Sequence, residues 1–237
     1  MYGYYGYGYG YSWTYLLVLI GLVISIAASA KVKSTYNKYA KVRSRAGITA
    51  AEAAQTILHD AGIYDVRIEH ISGNLTDNYN PTDKVLRLSD STYHSTSVAA
   101  IGVAAHECGH AIQHDTNYAP LNIRAAIVPA VNIGSQLSIP LIIIGVILSY
   151  NQTLISIGIA LFSLTLLFQL VTLPVEFDAS GRALRILSDS GMLASDEVSD
   201  ARKVLSAAAM TYVAAAAASA LQLLRLIIMF GGRNNRR

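Results

Sequence analysis

The stretch from Ala125 to Val175 contains no Lys, Arg, Asp or Glu, and it constrains the fold of this chain more than any other feature. A helix of about 20 residues crosses the roughly 30 Å hydrocarbon core of a bilayer, so this stretch is too long for one crossing and suits two. The most polar point of its second half lies at residues 149–153, which is where a turn is expected. The sequence therefore predicts a transmembrane hairpin over residues 125–175, kinked in its first helix at Pro129 and Pro140.

Composition and the start of the chain also indicate a membrane protein. Only 14% of the residues are charged, against about 25% in an ordinary soluble domain. The first thirty residues carry no charge, and residues 12–30 are long enough for one span. A cleaved signal peptide is the alternative interpretation, because residues 28–30 read Ala-Ser-Ala. The absence of positive charge before the apolar run favours an anchor, so residues 1–30 are predicted to be a Tyr/Gly-rich N-terminus followed by the first transmembrane helix.

A cluster of positive charge follows this first span. By the positive-inside rule, this end of the span is expected to be cytoplasmic, which predicts a multi-pass protein of the cell membrane with residues 31–118 in the cytoplasm. Because the cluster lies beside a membrane, anionic lipid headgroups explain it better than nucleic acid, and no nucleic-acid partner is expected. Its members are Lys31, Lys33, Lys38, Lys41, Arg43 and Arg45.

The last apolar stretch, Val204 to Leu224, leaves the number of spans open. Its alanine-rich middle permits close helix packing, so residues 207–237 are predicted to form a membrane-spanning or buried helix with a basic tail. A fourth crossing would place Arg233, Arg236 and Arg237 outside, against the positive-inside tendency. We therefore expect a mainly α integral membrane protein with three or four transmembrane helices.

Local signals predict the elements of the cytoplasmic segment. Thr49 and Glu52 form a capping-box pattern, which predicts a helix that runs to about Asp60 and stops at Gly62. Alternating residues then predict two paired strands, over residues 64–71 and 84–88, joined by a turn-rich segment.

The second strand is a candidate for substrate binding. Backbone pairing along an edge strand holds an extended peptide without reading its sequence. An ordinary structural strand is an equally good interpretation. The residues concerned are Val85, Leu86, Arg87 and Leu88.

The sequence His106-Glu107-Cys108-Gly109-His110 lies in a predicted helix over about residues 97–114. Residues four apart share a helix face, so both imidazoles can bind one metal ion, and the intervening glutamate lies beside the bound water. This pattern is typical of a site for one Zn²⁺ with Glu107 as the general base. An amphipathic helix with two incidental histidines is the alternative. Cys108 points away from the shared face and is expected to be a small buried residue.

A third metal ligand is expected after the motif, within the segment 176–206. Glu176 is the first acidic residue after the predicted hairpin, and a hairpin returns the chain to the side on which His106 lies. We therefore predict Glu176 as the third ligand, with Asp178 as the alternative. Thr116 occupies the position at which one large class of zinc proteases has its third histidine, which excludes that class.

These motifs resemble those of the YugP-like membrane zinc metallopeptidases, over nearly the whole chain. The resemblance is carried by the basic segment after the first span and by residues 104–114, 173–180 and 201–205. More distantly, the chain resembles the HtpX group of membrane proteases, in which a glutamate soon after two spans completes the zinc site. That group has an aspartate four residues after its ligand glutamate, whereas this chain has Ser180 there. A helix would turn Asp178 away from Glu176, and an i,i+4 pair with Arg182 is the alternative role for Asp178.

The resemblance implies a small α+β zincin-like, gluzincin-like metallopeptidase domain on the cytoplasmic side, with His106, His110 and Glu176 as zinc ligands and Glu107 as the base. It implies hydrolysis of a peptide or membrane-protein substrate by a zinc-dependent metalloendopeptidase in the lipid bilayer. A zinc-containing membrane scaffold without proteolytic turnover is the alternative function. A scaffold has no use for a base at position 107, so the glutamate favours the enzyme. The oligomeric state and the residue that stabilises the oxyanion stay open, with His114, Arg182 and Tyr212 considered for the latter.

Overall fold

The structure, a computed structural model, describes residues 12–231 and is mostly helical. The Tyr/Gly-rich start and the basic tail predicted from the sequence lie outside the described residues. After a short 3-10 turn at Ser12–Thr14, the elements are α1 Tyr15–Tyr39, α2 Ala50–Asp60, β1 Arg67–Ile71, β2 Asn78–Asn80, β3 Val85–Ser89, α3 Val98–Asp115, α4 Ala119–Ile147, α5 Gln152–Asp189 and α6 Ser195–Phe230.

The chain divides into two compact units. The first contains residues up to Ala27, Arg124–Val171, and residues from Tyr212 onward, and the second contains Ala28–Ile123 and Thr172–Thr211. The boundaries between the two units fall within four helices, α1, α4, α5 and α6.

In the first unit, α4 and α5 form the hairpin predicted from the uncharged stretch, with the turn between Ile147 and Gln152. The two helices approach closely where one of them carries glycine. A Cβ added to Gly158 of α5 would lie 2.7 Å from the Ser138 carbonyl oxygen of α4. Small residues at such positions bring helix backbones together, which is how apolar helices associate in a membrane.

The alanine-rich helix α6 packs against α1 in the same manner. A Cβ added to Gly21 would lie 3.1 Å from Cα of Ala218. In the most apolar 18-residue window of α6 only 17% of the residues are buried, which favours a membrane span over a helix enclosed by its neighbours. Among residues 12–231, four helices are long and apolar enough to cross a membrane, namely α1, α4, α5 and α6.

The second unit contains a three-stranded sheet instead of the predicted strand pair. The strand order is β1-β3-β2, with β1 and β3 parallel and β2 antiparallel to β3. The additional strand, β2, lies within the segment predicted to be only a turn-rich connection. It is three residues long and polar, so alternating hydrophobicity gave no signal for it.

The interpretation of Val85, Leu86, Arg87 and Leu88 as an edge strand for substrate is wrong. These residues belong to β3, the central strand, which pairs with β1 on one side and with β2 on the other. Beyond the end of β2, the side chain of Asp77 accepts the backbone N–H of Ser89 at 2.8 Å. Both edges of β3 are therefore occupied, and three of the four side chains are buried in the core.

The core of this unit packs α2, α3 and the sheet together with parts of α5 and α6. The predicted capping box begins α2, with the Thr49 hydroxyl accepting from the Glu52 N–H and the Glu52 carboxylate accepting from the Thr49 N–H. Such a cap stabilises a helix by about 1 kcal/mol. The last residues of α2 lead into Gly62, whose φ of 76° lies in the left-handed region that favours glycine.

Candidate metal centre

Helix α3 places the two motif histidines on one face. Ser97 caps its first turn by accepting the Ala100 N–H, and the helix continues unbroken to Asp115. Because His106 and His110 are one turn apart, their ring centroids lie 4.7 Å from each other. Glu107, which lies between them in the sequence, is buried, with 8% of its surface exposed.

Helix α5 brings a carboxylate to the same point. One carboxylate oxygen of Glu176, Oε2, lies 3.3 Å from Nε2 of His106 and 3.6 Å from Nε2 of His110. Potential ligand atoms of these three residues all lie within 4.8 Å of one another. The structure thus brings together the three residues that the sequence predicted as metal ligands and does not place Asp178 among them.

The electrostatics of this cluster favour a cation. Burial of His110 opposes its charged form, but the Glu176 carboxylate 3.6 Å away and the negative charge of Glu107 outweigh it, so the pKa of His110 is raised. Two acidic side chains and two imidazoles in a largely buried space would be electrostatically balanced by a bound divalent ion.

Hydrogen bonds fix which nitrogen of each histidine faces the cluster. Nδ1 of His110 lies 3.0 Å from Oε1 of Gln113, and Nδ1 of His106 lies 3.0 Å from the Ser180 hydroxyl. An amide oxygen only accepts, so Nδ1 of His110 carries the proton and its Nε2 is left as a lone-pair donor. Contacts of this kind orient metal-binding histidines and raise their basicity.

The orientation of Gln113 is itself determined by its surroundings. Its amide nitrogen donates to the Val175 carbonyl and to Oδ2 of Asp178, both at 2.8 Å. Asp178 also accepts from Nε of Arg182 at 2.6 Å, which confirms the predicted i,i+4 pair. A chain of polar contacts therefore runs from His110 through Gln113 to Asp178 and Arg182.

We expect Gln113→Ala to lower zinc affinity by about 10-fold to 100-fold, because outer partners of metal-binding histidines typically contribute that much. Equilibrium competition with a chromogenic zinc chelator measures the change. Gln55→Ala is the matched control, since Gln55 is exposed on α2 and its side-chain amide lies 2.7 Å from Nε2 of the exposed His59. Equal affinities for Gln113→Ala and the wild type would remove Gln113 from the metal centre.

Gly109 allows α3 and α5 to approach closely enough for the cluster to form. A Cβ added at this position would lie 2.6 Å from the carbonyl oxygen of Ala179 and 3.1 Å from its Cα. Both are backbone atoms of α5, so no side-chain rotation could relieve the clash. The absence of a side chain at Gly109 therefore sets the spacing between the two histidines and Glu176.

Other residues considered from the sequence make different contacts. The Cys108 thiol faces the Ala54 carbonyl of α2 at 3.6 Å, and its burial raises its pKa, as expected of a structural residue. Nδ1 of His114 lies 2.9 Å from the Tyr79 hydroxyl. Arg182 pairs with Asp178 and stacks over the Tyr118 ring. Neither His114 nor Arg182 belongs to the three-residue cluster, and an oxyanion role for Tyr212 stays a prediction.

The donor set fits zinc. Ligand atoms held at about 2.0–2.1 Å in a tetrahedron lie roughly 3.3 Å apart, close to the separations between Glu176 and the two imidazoles. Two histidines and one glutamate are three protein ligands, which is the number found in catalytic zinc sites that keep one position open. The same donors are too few and too rich in nitrogen for a site selective for Mg²⁺ or Ca²⁺.

Two supporting residues, Gln113 and Ser180, were missed by sequence reasoning. Gln113 follows His110 by three positions, and Ser180 follows Glu176 by four, so each lies on the same helix face as a predicted ligand. This spacing is a signal that sequence reasoning could have used. The spacing does not show which histidine each side chain contacts or through which nitrogen atom, because both contacts depend on how α3 and α5 pack.

Comparisons with known proteins match the chain to a protein family and to a relative. A family model described as "Putative neutral zinc metallopeptidase" matches residues 14–231. A relative from Bacillus subtilis (strain 168), "Putative membrane protease YugP", is 48% identical over 203 residues, which cover 86% of this chain and 90% of that protein. No solved structure matches the chain significantly.

Proposed function

This chain belongs to the family described as "Putative neutral zinc metallopeptidase", and we propose that it is a membrane-embedded metalloendopeptidase that hydrolyses peptide bonds with one Zn²⁺. The observation that carries the proposal is the convergence of His106, His110 and Glu176, with both imidazoles held by Nδ1 contacts, directly beside Glu107. The matching relative, named as a membrane protease, supports the same class of reaction.

The residues have separate roles in the proposed reaction. His106, His110 and Glu176 would hold the Zn²⁺, which would supply Lewis-acid chemistry to polarise the scissile carbonyl and to lower the pKa of a water molecule towards about 7. Glu107 accepts the proton of the attacking water and then donates it to the leaving amine. Ser180 and Gln113 hold the two imidazoles in place while these steps occur.

The strand that we propose for substrate pairing is β2. It pairs with β3 along one edge, and the Tyr79 hydroxyl contacts His114, one helical turn beyond His110 on α3. An extended peptide added to the other edge of β2 would run beside α3, the helix that contains His106 and His110. Photo-crosslinking from a bound peptide tests this: labelled β2 supports the assignment, and labelled β1 contradicts it.

Metal removal tests the proposed function. Dialysis of the purified full-length protein against a strong chelator should abolish cleavage of unfolded casein, because Glu107 alone cannot activate water sufficiently. Added Zn²⁺ should restore cleavage and added Mg²⁺ should not, since imidazole nitrogens bind zinc far better. Zinc-independent cleavage would contradict the proposal. Zinc binding without any cleavage would favour the scaffold function.

We propose that the metal site faces the cytoplasm, on the basis of the cluster of positive charge after the first span. The sole cysteine, Cys108, is fully buried, so introduced cysteines can be labelled selectively. A membrane-impermeant maleimide should label Thr153→Cys in intact cells and label Lys41→Cys only after permeabilisation. Both positions are exposed to solvent. The reverse labelling pattern would contradict this orientation.

A further inference from the structure

A cavity of about 550 Å³ lies in the second unit, away from the metal ligands, between α1, the loop that connects β1 to β2, and α6. The Tyr36 hydroxyl donates to the Ser91 carbonyl at 2.8 Å. This hydrogen bond connects α1 to the segment that follows β3. The residues that matter for its chemistry are Ser29, Val32, Lys33, Asn37, Asn74 and Leu75.

The polar groups of this cavity suit an anion. Within the described part of the chain, the side chains of Lys33, Asn37 and Asn74 make no hydrogen bond or ion pair, and no carboxylate belongs to the cavity lining. A lysine ammonium and two amide groups together offer several N–H donors and one positive charge. A phosphate group accepts such donors, and charged hydrogen bonds are stronger than neutral ones.

The position of the cavity along α1 indicates where that anion comes from. Helix α1 carries no charge as far as Ala30, and Lys31 is its first charged residue. Ser29 and Lys33 therefore lie where the apolar part of the helix ends, the depth of phospholipid headgroups when α1 crosses a bilayer. Apolar lining from Val32 and Leu75 suits the glycerol backbone of a lipid better than it suits a free phosphate ion.

We propose that this cavity binds the phosphate of an anionic phospholipid headgroup, with Lys33 as the ion-pair partner and Asn37 and Asn74 as hydrogen-bond donors. The proposal depends on α1 crossing the membrane and is independent of peptide hydrolysis. It predicts one defined lipid-binding site among the positively charged residues that follow the first span.

Two residues that line the cavity precede β2 in the chain. Asn74 and Leu75 belong to the loop between β1 and β2, in which Leu75 has a φ of 55° and donates its N–H to the Ser91 hydroxyl. A headgroup bound to Asn74 would restrict this loop. Hydrogen exchange of residues 73–76 therefore reports occupancy of the cavity.

The test titrates the full-length protein in detergent with phosphatidylglycerol or phosphatidylcholine and counts bound lipids by native mass spectrometry. We expect Lys33→Gln to weaken phosphatidylglycerol binding about tenfold, in line with the loss of a hydrogen bond between charged groups. Lys31→Gln is the matched control, because it removes an equal charge from an exposed site on the same helix outside the cavity. Asn74→Ala should weaken binding as well, and none of the variants should change the zinc content.

Hydrogen exchange provides the second readout. Phosphatidylglycerol should protect residues 73–76 in the wild type and in Lys31→Gln, but not in Lys33→Gln. If Lys31→Gln and Lys33→Gln weakened phosphatidylglycerol binding equally, the site would be overturned, because the lipid would then be attracted by the general positive charge around α1. Equal binding of the two lipids would overturn its selectivity for an anion. Protection by free glycerol phosphate as strong as that by the lipid would overturn the lipid as its source.

Discussion

Replacing Glu107 by glutamine should stop peptide cleavage and leave the bound zinc in place. Glutamine has nearly the shape of glutamate but cannot accept a proton from the attacking water. General acid–base catalysis contributes about 10²-fold to 10⁴-fold in rate, and the loss should fall in this range. Initial rates of casein cleavage and zinc content of the same preparation measure both parts of the prediction.

A partly exposed glutamate, distant from the metal cluster in the sequence, provides the control for this substitution. Glu69 lies on β1 with its carboxylate near Arg67 and Arg87 at the surface, and Glu69→Gln removes the same charge without touching the metal centre. Its cleavage rate should equal that of the wild type. If Glu107→Gln cleaved casein at the wild-type rate, another group would be the base, and the role given to Glu107 would be wrong.

Replacing Gly109 by alanine should remove most of the zinc-dependent activity without changing any ligand. The added Cβ would meet the backbone of Ala179 at 2.6 Å, so α3 and α5 must move apart. Overpacking of this kind costs about 1–3 kcal/mol of stability. The separation also moves the two imidazoles away from Glu176, and a site displaced by more than about 0.5 Å loses its function.

Gly181→Ala is a matched control on the opposite helix. An added Cβ at Gly181 would meet no atom within 4 Å, and the residue lies inside α5. Alanine is favoured over glycine in a helix by about 1 kcal/mol, so this variant should be as stable as the wild type or more so. Zinc affinity and thermal unfolding are measured for Gly109→Ala and Gly181→Ala and compared with those of the wild type. Wild-type zinc affinity in Gly109→Ala would show that the helix spacing is not limiting.

Local patterns in the sequence were sufficient for several elements of the fold. The capping box of α2, the metal helix and the uncharged hairpin each depend on residues close together in the chain, and the structure contains all three. The prediction of Glu176 as a ligand used the same information together with the parity of membrane crossings. In the structure α5 is one continuous helix that contains both a candidate span and Glu176.

Contacts between distant segments could not be predicted in this way. The central position of β3 results from pairing with β2, a strand too short and polar to be recognised. The support of His106 by Ser180 joins residues 74 positions apart. Gly109 occupies one of the two motif positions at which any residue is allowed. It has to be small because the backbone of α5 lies beside it. Each of these features depends on tertiary packing and not on a local pattern.

The most direct test of the account is zinc X-ray absorption on the purified full-length protein, recorded with and without a peptide hydroxamate. Two imidazole nitrogens, a carboxylate oxygen and one further light atom should surround the zinc, and the hydroxamate should add to or replace the nonprotein ligand. This result would establish an open position at His106, His110 and Glu176, as a catalytic site requires. A sulfur ligand, or four protein ligands unchanged by the hydroxamate, would contradict it and identify a closed structural site.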